Sequence, residues 1–114
     1  MPTLKTVDIK SDMPTAEQAV RRVNAALATA RVTGAPAVKI IHGYGSTGVG
    51  GRIREEAHRF LEQQRRKSSV RAVIPGEEFS IFNEATLRAF ALCPALRRDS
   101  DLDRHNCGVT LVIL

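Results

Sequence analysis

The sequence predicts a mixed α/β fold, a two-layer sandwich with helices packed on a small sheet. Three observations predict it. Apolar residues alternate with polar ones over residues 4–10, and run almost unbroken over 37–42, 70–74 and 108–114. Between the first three of these runs lie two longer segments whose apolar residues recur at helical spacing. Turn residues punctuate the junctions: SDMPT, TGAP, a glycine-rich stretch and Pro75-Gly76. Strands and helices that alternate in this way give the order βαβα(β)(α)β.

Each element has its own justification. LKTVDIK, residues 4–10, alternates through Leu4, Val7 and Ile9 and reads as a strand. A helix follows over about 15–32, opened by Thr15 three residues before Gln18, the spacing of a capping box. Ala16, Ala19, Val20, Val23, Ala26, Leu27 and Ala30 form its apolar stripe, and Gly34 with Pro36 ends it. AVKIIH, residues 37–42, is apolar enough to be a central strand. A second helix is expected over 51–66, with Ile53, Ala57, Phe60 and Leu61 inward and a basic end that suits the helix dipole. VRAVI, 70–74, and GVTLVIL, 108–114, supply two more strands. Between them, 76–107 reads as an inserted segment. It holds a short helix over 83–92, with Leu87, Phe90 and Ala91 inward, and then the polar loop RRDSDLDRHN. Val7, Ile9, Val38, Ile40, Ile41, Val70, Val73, Val109, Leu111 and Val112 are the expected core.

The 114 residues suit one domain, 1–114, large enough to bury a core without staples. No apolar run is long enough to span a bilayer, and the first residues have no signal-peptide pattern. Two cysteines make no disulfide framework, so a cytoplasmic protein without a membrane partner is expected. The net charge of +5 favours a polyanionic partner. With one Tyr, four Phe and no Trp, contacts to such a partner should be made mainly to phosphate rather than by base stacking.

The chemistry concentrates in VKIIHGYGSTGVGGRIREE, residues 38–56, where a strand enters a loop with five glycines and then a helix. Gly43-Tyr44-Gly45-Ser46-Thr47-Gly48 formally matches G-x-G-x-x-G. A dinucleotide site is disfavoured, because the loop follows the second strand and the next acidic candidate, Glu77, is too distant. A P-loop fails because Val49-Gly50 stand where Lys-Ser/Thr is required. The stronger reading is an anion grip. Glycines let backbone N–H groups approach a ligand, and a helix N-terminus favours negative charge. Arg52 and Arg54 oppose the dipole in the first turn, a conflict that an anion in front of them removes. A plain flexible connection is the competing account, against which the donors of Ser46 and Thr47 and the ring of Tyr44 weigh.

IIHGYGSTG followed by GRIR resembles the H-G-x-G-T-G signature of Smr domains, the small MutS-related family. The likeness extends over roughly residues 7–74 and 107–114 in the family's order of elements. The resemblance implies a fold like the C-terminal domain of translation initiation factor 3. It implies nucleic-acid binding, to DNA or RNA, and in many members endonuclease or nicking activity. A protein or ribosome partner on the same fold is the alternative. The family's other motif, L-D-x-H-G, corresponds here to Val7-Asp8-Ile9-Lys10-Ser11. Asp8 matches, Lys10 replaces the histidine, and Ser46 is one residue extra in the loop. Carried over, Asp8 and His42 are the catalytic candidates. Lys10, Gly43, Tyr44, Gly45, Ser46, Thr47, Gly48, Arg52 and Arg54 are the phosphate-binding candidates. Lysine holds charge near a phosphate but shuttles protons poorly at neutral pH, so binding is expected to outlast cleavage.

Two of these residues carry a structural alternative. His42 either moves a proton or closes its strand by bonding the loop backbone. Asp8 either orients a catalytic group or caps the SDMPT turn. His58 is expected on the surface of the second helix. His105, Cys107 and Cys93 match no zinc spacing, and no metal or other cofactor is expected.

Overall fold

The computed structural model describes residues 4–44 and 48–114. Its elements follow the expected order: β1 (Lys5–Asp8), α1 (Ala16–Thr33), β2 (Ala37–Ile41), α2 (Gly48–Arg66), β3 (Ala72–Pro75), α3 (Glu84–Leu92) and β4 (Val109–Ile113). Short 3-10 turns occupy Gly76–Glu78 and Pro94–Arg98, so the polar loop is partly ordered helix. The second helix starts at Gly48, three residues before the apolar periodicity announces it, because glycines carry no pattern.

Local chemistry explains the first helix. Thr15 Oγ1 accepts from the Gln18 amide at 3.1 Å, while the Gln18 side chain accepts from the Thr15 amide at 2.9 Å. The expected capping box is therefore complete and satisfies two orphan donors. Gly34 closes the helix in the left-handed conformation, φ 76°.

The sheet has the order β1-β2-β4-β3. β1 runs parallel to β2, with Val7 beside Ile40 and Asp8 beside Ile41. β4 is antiparallel to both neighbours, pairing Thr110 with Ile40 and with Pro75. Pro75 ends β3 on the edge, where a missing ladder donor costs least.

Helices α1 and α2 cover one face, packing Ala19, Val23, Leu27, Ile53, Ala57 and Leu61 on Val38, Ile40 and Val112. Sheet and helices form the expected sandwich, to which the 76–107 segment adds a third layer on the other face. The 76–107 segment covers the opposite face, where Phe79, Phe90, Cys93 and Leu96 pack on Ala37, Ile74, Leu111 and Ile113. β2 and β4 are thus buried on both faces, which is why they read as continuous apolar runs. The inward face of α3 differs from the expected one. Thr86, Ala89 and Phe90 are buried, while Leu87 is half exposed and Ala91 exposed. Asn83 caps the helix by accepting from the Thr86 amide at 2.9 Å.

One residue breaks the apolar run of β2. Lys39 is buried, and its ammonium meets Asp99 at 2.8 Å and also Asp101. Burial opposes the charge, yet the two carboxylates outweigh it and push the Lys39 pKa up. Asp101 also accepts from the Asn106 side chain at 2.8 Å. This ion cluster fastens the polar loop to the centre of the sheet.

Candidate nucleic-acid interface at the end of the parallel strands

The parallel pair β1–β2 ends where the glycine loop begins. The candidate residues separate there into a rim and a buried base. Gly45, Ser46 and Thr47 lie outside the described residues, and Gly48 opens α2.

The rim is formed by Lys10, Gly43, Tyr44 and Arg52. Gly43 has φ +79°, and a Cβ there would stand 3.0 Å from Lys10 Cδ. Only glycine serves both the backbone and the lysine stem that lies across it. Tyr44 is 68% exposed beside it. Arg52 is exposed and, with Met13 to Glu17, lines a surface groove of about 350 Å³ at the start of α1. The first turn of α2 carries no acidic residue. Lys10 thus lies against Gly43, and Arg52 stands exposed one turn into α2.

Asp8 is engaged within its own turn. Its carboxylate accepts from the Lys10 amide at 2.8 Å, the Ser11 amide at 3.0 Å and the Ser11 hydroxyl at 2.8 Å. Slight burial opposes ionisation, but the bonds from Ser11 and Lys10 hold the carboxyl below its ordinary pKa. Lys10 Nζ lies 3.8 Å from it.

His42 lies in the base and is 1% exposed. Its backbone N–H and that of Gly43 both donate to the Gly108 carbonyl, each at 3.0 Å. Its ring reaches the Gly43 carbonyl through Nδ1 at 2.8 Å and Thr110 Oγ1 through Nε2 at 2.8 Å. Asp8 pairs in register with Ile41, whose side chain packs under the 76–107 segment, whereas Thr110 points to the α2 face. Asp8 and His42 therefore turn to opposite faces of the sheet and are not brought together.

His58 corrects the expected surface placement. Its Nε2 lies 2.9 Å from the same Thr110 oxygen, and its ring meets that of His42 edge-on, centroids 5.1 Å apart. Arg54, a phosphate-binding candidate, bonds Glu77 Oε2 at 2.8 Å and the Cys107 carbonyl at 3.3 Å. Glu77 Oε1 is buried with no hydrogen-bond partner among the described residues. Burial first, and then the Arg54 charge, lower the His42 pKa. Burial, His42 and Arg54 lower that of His58 to about 4. Both imidazoles are thus neutral at pH 7. Among the described residues no group of three or more metal-capable side chains forms a site.

Thr110, His58 and Gly108 escaped the sequence reading. Thr110 is the one polar side chain in an apolar strand, and a lone buried hydroxyl demands a partner. That signal was present, but its partners come from α2 and from the end of β2, which only folding brings together.

A stability prediction follows from His58. Between the folded pKa of about 4 and the unfolded value near 6.5, the unfolded chain binds more protons. Stability should be full above pH 6.5 and fall as the pH drops toward 4, with a loss on the order of 1–2 kcal/mol at pH 5. Thermal melts at pH 7.5 and 5 check this, and His58→Gln should flatten the difference. An unchanged slope in that variant contradicts it.

No helix among the described residues is long and apolar enough to cross a membrane. No curated protein and no solved structure matches the chain. The family model of the Smr domain matches residues 12–78, from the turn after β1 through α1, β2, the glycine loop, α2 and β3. Asp8 and Lys10, and the segment from Phe79 onward, lie outside that match. Smr domains are associated in general with nucleic-acid binding or nuclease-like function. The match spans more than half of the sequence, and on that ground the chain belongs to the Smr domain family.

Proposed function

We propose that this protein binds nucleic acid by gripping backbone phosphate at the edge formed by Lys10, Gly43, Tyr44, Arg52 and the N-terminus of α2. The observation that carries the reading is the α2 N-terminus. It follows a glycine-rich stretch and has no acid in its first turn, with Arg52 exposed one turn in and Lys10 lying against Gly43 at the start of that stretch. Backbone N–H groups and the helix dipole there favour an anion. The +5 net charge makes a polyanion the natural occupant. Both cysteines are free, which suits the reducing cytoplasm.

Binding is favoured over cleavage. Asp8 is committed to the Ser11 turn and His42 is buried with both ring nitrogens engaged. A group that moves a proton must reach the reacting oxygen. The test is a mobility-shift titration of end-labelled structured RNA and single-stranded DNA, with and without magnesium. Neutralising about three or four phosphates should weaken binding roughly 15- to 60-fold between 50 and 200 mM salt. Arg52→Ala should reduce the salt slope by roughly 0.7. Salt-insensitive or absent binding defeats the reading. Cleavage lost in His42→Gln would extend it to a nuclease.

A second reading, a protein-interaction module, draws on the apolar side chains beside α3. Phe82 is 91% exposed, with Ile81 and Leu87 half exposed nearby. Binding through that surface would resist salt.

A further inference from the structure

We infer that Thr110 and His58 are positioning residues for the loop, their hydrogen bonds locking His42 in the tautomer that holds the Gly43 carbonyl inward and aims the Tyr44 amide outward. The inference rests on the phosphate-binding reading and names side chains outside the rim that make it work.

The direction of each bond follows from what each atom can do. A backbone carbonyl only accepts, so His42 Nδ1 carries the hydrogen shared with Gly43, at 2.8 Å. A neutral imidazole then has a bare Nε2, and that nitrogen must accept. Its partner at 2.8 Å is the Thr110 hydroxyl, which donates its only hydrogen there. The Thr110 oxygen is left to accept, and His58 Nε2 donates to it at 2.9 Å. The chain runs from His58 to Thr110 to His42 to the Gly43 carbonyl with one consistent sense. Thr110 is fully buried, so no water competes for its hydroxyl.

The last link acts on the loop. A trans peptide sets its carbonyl and the following N–H in opposite directions. No cis bond occurs among the described residues. With the Gly43 carbonyl held against His42, the Tyr44 N–H of the same peptide is turned away from the His42 ring. The N–H groups of His42 and Gly43 are consumed by Gly108, which leaves the Tyr44 amide as the first loop donor pointing outward. Gly43, at φ +79°, is the residue able to present that peptide.

The experiment reads the tautomers and the binding separately. Long-range proton–nitrogen correlation spectra of the intact protein should show His42 protonated on Nδ1 and His58 on Nε2. Affinity for a short labelled single-stranded RNA is then compared among variants with circular dichroism confirming the fold. Thr110→Val should weaken binding roughly fivefold, the worth of one net hydrogen bond, while Thr110→Ser restores it. Where Thr110→Val does not fold, His58→Gln, which keeps a donor, should bind like wild type and His58→Leu should not. The inference is overturned if His42 is protonated on Nε2. It is also overturned if Thr110→Val binds as wild type while the double variant Lys10→Ala, Arg52→Ala loses affinity. If that double variant binds RNA as well as wild type, the phosphate-binding reading itself fails and the inference with it.

Discussion

Replacing Lys39 by methionine is expected to destabilise the protein by about 3–5 kcal/mol. The lysine occupies the centre of β2, 8% exposed, and neutralises two carboxylates that sit almost as deep. Methionine has nearly the same length and fits the apolar surroundings, so packing is not what is lost. The variant leaves Asp99 and Asp101 largely buried with no countercharge, and among the described residues they keep only the bonds from the Asp101 amide and the Asn106 side chain. Desolvated unpaired charge is among the few causes of losses this large. Urea denaturation of the variant measures it. The triple variant Lys39→Met, Asp99→Asn, Asp101→Asn should recover much of the loss, because the penalty resides in the orphaned charge and not in the missing bond. A loss below about 1 kcal/mol would show that the carboxylates reach water.

Gly76→Ala is the second large effect, expected to cost about 3 kcal/mol. A Cβ at that position would stand 1.9 Å from the Asn106 carbonyl oxygen and 2.8 Å from the Val109 side chain. Neither neighbour is the free end of a flexible side chain, so the backbone of 106–109 must move. That stretch includes Gly108, whose carbonyl anchors the amides of His42 and Gly43. The substitution should therefore do two things together: lower the denaturation midpoint, and shift the amide resonances of Gly43 and Tyr44, remote in sequence. A variant with wild-type stability would mean that the two passing segments are loosely held.

The helix and strand order, the capping box and the covered central strands follow from local chemistry in the sequence. Thr15 and Gln18 stand at the right spacing, and Gly34, followed by Pro36, closes the first helix in the left-handed conformation. The loop motif was legible for a related reason, since close backbone approach requires glycine and Gly43 meets that requirement. Position along the chain also places Lys10 just after β1 and Tyr44 just after β2, its parallel neighbour, with Arg52 in the helix that follows.

What sequence reasoning lacked was the partner of each buried polar group. Lys39 was absorbed into an apolar run, although a cation in a central strand requires carboxylates, because Asp99 and Asp101 are some sixty residues away. The sequence around His58 gives no sign of the hydroxyl on β4 that receives its ring. The partner of Arg54, Glu77, follows β3 and meets it only across the fold. Periodicity and capping act within a few residues of the chain, so the sequence by itself determined the elements and their order. Hydrogen bonds and ion pairs between groups distant in sequence depend on how the sheet orders its strands. The tertiary structure alone therefore decided which charges are buried in pairs and which imidazole holds the loop.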